Sequence, residues 1–197
     1  MDDNGGFFHL KELMDKKSRT TYRHGNIREE AVKFSLEITD TEGHEALSMR
    51  KVAGHLGVAH RALYNHFKDR EALLDAVATE GFNQLADEVD NSATQNDFIA
   101  TYLDFALKRS SLYNLMMSRP HATMSDTPPL QSAVHRVITK AMSFFGSPNN
   151  SSEENRRAVM KATILLHGGI TLRTNGILDV PDDKGFIEEI SRMMEVG

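Results

Sequence analysis

With 197 residues, 40% of them apolar and 26% charged, the chain has room for one or two domains around a full core, and its composition is not that of a disordered polymer. The absence of cysteine excludes disulfides and thiolate-bound metals, and no run approaches the roughly 20 apolar residues that a membrane-spanning helix needs. The net charge of -5 is unevenly spread: residues 1–70 hold 12 Lys and Arg against 11 Asp and Glu, and the remainder 11 against 17, so an acidic body carries a locally basic head.

The first residues carry acids where a signal peptide needs bases, and the expected location is the cytoplasm. Residues 1–21 are expected to form a flexible tail. Phe7, Phe8, Leu10, Leu13 and Met14 leave open a docking arm or membrane foot, against which stand the segment's shortness and its Asn-Gly-Gly start. Tyr22 to Arg28 then place basic groups just before a first helix expected from about Asn26 to Glu42, with Asn26 as cap and Gly43 as stop. Its apolar stripe is Ile27, Ala31, Phe34 and Ile38.

Ala46 to Phe67 reads as a helix-turn-helix. The first helix starts at Ser48 and buries Val52, Ala53 and Leu56; Gly57 makes the turn, with Val58 as the apolar pin. The second runs from about Ala59 to His66, with Leu63 and Phe67 inward and His60, Arg61, Tyr64 and His66 on the open side. Ala46 to Lys68 holds four cations, Arg50, Lys51, Arg61 and Lys68, and no carboxylate. Such a face attracts a polyanion and offers donors to phosphates and base edges; a solvated helical surface that merely lacks acids reads the same way by charge alone.

Asp69 is the expected cap of a long helix over 72–89 that links head to body. The body reads as helices over about 95–109, 110–118, 128–145, 153–178 and 183–195, broken at Arg119-Pro120, Gly146 to Asn150 and Asp179 to Pro181. Seven of the ten methionines lie there (Met116, Met117, Met124, Met142, Met160, Met193, Met194), which suits either an adaptable ligand cavity or core filling. His121, His135 and His167, with Asp87, Glu88 and Asp104, are the residues an enzyme reading would use. No two of these histidines share a helix face by spacing, and no nucleophile motif or phosphate-cradling loop accompanies them, so no catalytic residue, metal or cofactor is expected.

The order and spacing of these segments resemble a TetR-type transcriptional regulator. Tyr22 to Arg28, Ala46 to Ala53, Gly57-Val58, Tyr64, His66-Phe67 and Glu71 to Leu74 are similar to the family's head. Tyr102 to Ala106, Leu112 to Met116, His167-Gly168 and Leu172 look like the body of the branch that carries a Trp-His-Gly motif. Three positions depart from that pattern. Ala59 stands where the family often caps the recognition helix with Ser or Thr, Thr39 replaces a usual aromatic, and Ile164 replaces the motif's Trp.

The resemblance implies an all-α fold: a three-helix DNA-binding head with a helix-turn-helix, joined by a long helix to an all-helical ligand-binding and dimerisation domain. The expected division is 1–21 tail, 22–84 head (motif 48–67) and 85–197 body. The implied partners are double-stranded DNA at a palindromic operator, a second copy of the chain, and an unknown small-molecule effector that releases the repressor; no membrane is involved. Arg50, His60, Arg61, Tyr64 and His66 fall where such proteins touch DNA, and Lys68 and Arg70 where they neutralise phosphates. Candidates for the ligand pocket are Phe105, Tyr113, Met117, Met142 and His167. For the dimer interface, apolar stripes supply Ala162, Leu165, Gly169 and Leu172 on one helix and Phe186, Ile190 and Met194 on the next. The alternative is a helical protein-interaction module without specific DNA binding.

Overall fold

A computed structural model describes residues 26–119 and 127–195. The expected N-terminal tail, the leader from Tyr22 to Gly25, His121 and Met124 lie outside the described residues. Regular structure among the described residues is wholly helical, with nine α-helices and one 3-10 turn. The head comprises α1 (Ile27–Glu42), the 3-10 turn His44–Ala46, α2 (Met49–Leu56) and α3 (His60–Tyr64). The long α4 (Arg70–Asp90) follows, then α5 (Gln95–Lys108), α6 (Ser110–Ser118), α7 (Pro128–Phe145), α8 (Ser152–Thr174) and α9 (Asp183–Glu195).

Local chemistry accounts for most of these boundaries. Ser48 accepts from the Lys51 amide and Asp69 from the Ala72 amide, so α2 and α4 begin where their caps sit. Thr94 with Asp97, and Ser151 with Glu154, close reciprocal capping boxes at α5 and α8. Asn26 departs from expectation: its side chain makes no cap bond, and only its carbonyl takes part, accepting from the Glu30 amide at 3.0 Å. The helix expected to reach residue 178 stops at Thr174. Gly176 takes a left-handed φ of 68°, and the Ile177 amide turns back onto the Leu172 carbonyl at 2.9 Å, which ends the ladder.

One apolar core runs from head to body without a break. Ala31, Val52, Leu56, Leu63 and Phe67 fill the head, Leu73, Val77, Phe82 and Leu85 carry the core along α4, and Phe98, Leu103, Leu112 and Tyr113 continue it into the body. The expected division at residue 84 therefore falls inside α4, which packs on α1 at one end and most extensively on α7. A helix shared by both cores is stiff and is anchored along its length by close packing. Among the described residues no helix is long and apolar enough to cross a membrane.

Candidate nucleic-acid interface and body cavity

The two short helices of the motif meet through backbone geometry that the sequence dictates. Gly57 sits at φ 64°, ψ 30°, and its amide bonds the Gly54 carbonyl while the Val58 amide bonds that of Ala53 at 3.1 Å. This paired closure needs a left-handed residue at its centre, which glycine supplies at no steric cost. Val52, Ala53, Leu56 and Leu63 point into the head core. The recognition helix α3 is shorter than expected. It spans His60–Tyr64, its N-cap Ala59 has no side-chain oxygen to offer, and the chain after it folds into a turn that returns the His66 and Phe67 amides to the Leu63 carbonyl at 2.9 Å. Phe67, buried beneath the Arg28 guanidinium 5.2 Å from its ring, anchors the end of that turn.

This geometry leaves His60, Arg61, Tyr64 and His66 exposed together. Tyr64, at 47%, is the one large aromatic among the described residues of the head left in water, and His60 meets its ring edge-on at 5.2 Å between centroids. Arg50 on α2 and Lys68 after the turn are exposed as well, and with Arg61 they form no ion pair among the described residues. The remaining cations are engaged. Lys51 is held by Glu42 at 2.8 Å, and Arg70 turns inward, donating to the Leu47 carbonyl at 2.8 Å and that of His44 at 2.7 Å. Of the seven residues expected at the DNA, Arg70 thus spends two of its donor nitrogens bracing the segment that leads into α2. His55, exposed in the same window, lies flat on Phe34 with ring centroids 3.4 Å apart. Thr39, in place of the family's aromatic, is buried with its hydroxyl donating to the Ser35 carbonyl.

Ion pairs tie the body to this head at both ends of α6. At its N-terminal side Arg109 pairs with Asp40 of α1 at 2.6 Å and also donates to Gln84 of α4. At its C-terminal side Arg119, mostly shielded from water, bridges Glu71 at 2.9 Å and Asp75 at 2.7 Å on α4. Glu71 in turn meets Arg70 at 3.3 Å, so the network reaches the carbonyls that precede α2.

The body carries a half-open cavity of about 460 Å³ among α4, α5, α6, α7 and α8. Of the five residues read as pocket candidates, Met117 and Met142 line this cavity; Phe105, Tyr113 and His167 do not. Phe105 and Tyr113 are buried in the core instead, and the Tyr113 hydroxyl lies 3.2 Å from both the Tyr102 hydroxyl and the His167 Nδ1. Burial holds both phenols above their ordinary pKa, so they stay protonated. Phe82, Phe98, Tyr102 and Phe145 form the aromatic wall that the sequence reading did not single out. The signal was present at Phe98 and Tyr102, which occupy the inward stripe of α5, but periodicity does not distinguish core from cavity wall.

The stripes expected at the dimer interface largely turn inward. Phe186 is 1% and Ile190 4% exposed, Ala162 is buried, and a Cβ on Gly169 would stand 2.9 Å from the Ile190 side chain. Phe186 and Ile190, with Gly169, close α9 onto α8 and α5 within one chain, while Ala162 lines the body cavity. Leu165 and Met194 are half-buried, while Ile164, at 67%, and Leu172, at 40%, face out from α8. Among the described residues no three His, Asp or Glu side chains form a group that could hold a metal ion.

A helix-turn-helix whose open face carries cations without an ion pair among the described residues, joined to a body whose described regular structure is helical, defines a DNA-binding transcriptional regulator. Residues 35–77 match the family described as bacterial regulatory proteins, tetR family, and residues 96–194 match the tetracyclin repressor-like C-terminal domain. The chain belongs to the TetR family. The class C tetracycline repressor of Escherichia coli is 47% identical over 51 residues, which are 26% of this chain and 23% of that repressor. The chain therefore matches about a quarter of that relative's length. Among solved structures, a protein of unknown function from Rhodococcus sp. RHA1 aligns at a TM-score of 0.69 and 24% identity, over 86% of this chain and 94% of that one. A TetR transcriptional regulator from the same organism aligns at 0.58 and 19% identity, over 91% and 98%. Regulators of this family are in general non-enzymatic transcription factors.

Proposed function

We propose that the protein is a repressor that binds a palindromic operator as a homodimer and releases it when a small molecule enters the body cavity. The observation that carries this reading is the group of exposed side chains on and around α3: Tyr64, His60, Arg61 and His66, flanked by the unpaired cations Arg50 and Lys68. Arg61 has the fork geometry to bind a guanine edge, Tyr64 a hydroxyl for a phosphate and a ring for a thymine methyl, and Lys68 a point charge for the backbone.

Dimerisation supplies the second recognition helix, set about 34–36 Å from the first so that the two read successive major grooves. Exposed Ile164 and Leu172, with half-buried Leu165 between them, are the apolar surface on α8 available for a second copy. Release follows if the bound effector favours a head spacing that no longer fits the groove, and the ion pairs at the ends of α6 are the rigid links through which such a shift reaches α4 and the head.

The test is selection of bound fragments from randomised DNA by the full chain, over a range of salt. The expected outcome is a palindrome whose binding Tyr64→Ala weakens by at least about fivefold, in line with the roughly 1–3 kcal/mol of a good base contact. Sequence-blind binding, unchanged by Tyr64→Ala, would defeat the reading and favour a helical interaction module instead.

A further inference from the structure

We infer that the body cavity selects an uncharged, lipophilic ring compound and rejects its ionised relatives. This deepens the effector reading and rests on it. The volume, about 460 Å³, falls in the range of sites for drug-sized ligands. Its wall is built from the rings of Phe82, Phe98, Tyr102 and Phe145, with the thioethers of Met117 and Met142. Aromatic faces favour flat apolar ligands, and methionines adjust to their outline, so polarity and size decide what enters more than a fixed shape does.

The few polar groups of the wall are already committed. The Tyr102 hydroxyl is hydrogen-bonded to that of Tyr113, and Tyr113 is held by His167. The Thr163 hydroxyl donates to the Val159 carbonyl at 2.9 Å. Arg156, the one acid or base among the described lining residues, is an exposed side chain paired with Glu153 at 3.1 Å. Among the described lining residues no unpaired charge faces this space, so an ion entering it would leave water without gaining a free counter-charge, which is the costliest way to bury a group. The mouth repeats the preference, since Ile138, Met142 and Met160 are all apolar and all exposed there.

The test uses two fluorescent probes with the same ring skeleton: N-phenyl-1-naphthylamine, which is uncharged, and 8-anilinonaphthalene-1-sulfonate, which adds a sulfonate. Titrated into the full chain, the uncharged probe is expected to saturate at one per chain with a Kd at least tenfold below that of the sulfonate. Ala162→Phe, which fills the cavity from α8, is expected to abolish its binding. Thr163→Lys, at an exposed wall position, gives the sulfonate a partner without touching the core and is expected to narrow the difference to threefold or less. Two results would overturn the inference. One is tighter binding of the sulfonate by the unaltered chain, especially if Arg156→Gln removed that advantage. The other is binding of the uncharged probe that Ala162→Phe leaves unchanged. Displacement of bound DNA by the uncharged probe is read separately, and its failure would sink the effector reading while leaving the ligand class supported by the binding data.

Discussion

Lys68 and Arg70 stand two residues apart and carry the same charge, yet Lys68 is exposed and forms no ion pair among the described residues, while Arg70 is half-buried. Arg70 instead donates to the His44 and Leu47 carbonyls and touches Glu71. Their substitution should therefore separate cleanly. Lys68→Ala is expected to weaken binding to all DNA sequences alike, to lower the slope of log Kd against log salt by about 1, and to leave the melting temperature unchanged. Arg70→Ala strips two backbone carbonyls of a charged donor and is expected to cost roughly 1.5–3 kcal/mol of stability. For a chain of this size that is a fall of about 2–4 °C per kcal/mol, read by calorimetry. An unchanged melting temperature with a reduced salt slope would return Arg70 to the DNA. Residue type and position alone could not separate the two, because what distinguishes them is the backbone of the 3-10 turn 23 to 26 residues earlier.

Among the elements, the helix starts were the most legible feature, since a cap acts through atoms three residues away. Ser48 and Asp69 behave as read, and Ala59, having no oxygen, leaves α3 short and uncapped. The capping boxes add a dependence on pH. The side-chain hydrogen bond from Thr94 holds the Asp97 carboxyl below its ordinary value, and that from Ser151 does the same for Glu154. A depressed folded pKa contributes stability above the unfolded value and loses it as pH falls through the folded one. The double variant Asp97→Asn, Glu154→Gln is expected to melt below the unaltered chain near neutral pH and to converge with it as pH drops below the ordinary carboxyl range. Melting curves that keep a constant gap down to pH 2.5 would rule out a charge-dependent contribution from these caps.

At the scale of the whole molecule, burial divides the stripes of the last two helices into those that hold one chain together and those free to meet another. Phe186 and Ile190 fill the space between α9, α8 and α5, with Gly169 giving them room. Leu172 looks outward. Leu172→Asp is expected to halve the mass seen by light scattering, with the helical signal intact and DNA binding much weaker. Phe186→Ala is expected to cost about 3–5 kcal/mol of stability through the cavity it opens. An intact dimer in Leu172→Asp would remove α8 from the interface. The continuous core through α4 and the pairs of Arg109 and Arg119 join head to body by packing and by charge.

The sequence by itself determined the all-helical class, the helix-turn-helix and its open face, and the order of the body helices. These rest on periodicity, caps and a left-handed glycine, which act over three to five residues. The tertiary structure alone decided which neighbour covers each apolar stripe. It turned Phe186 and Ile190 inward, drew Arg70 onto the His44 and Leu47 carbonyls, left Ile164 exposed, and placed the cavity among Phe82, Phe98 and Tyr102 rather than beside Tyr113 and His167. The physical reason is that an apolar face specifies only that it be buried. Whether another helix, a ligand or a second chain buries it depends on how distant segments pack, which local spacing does not encode.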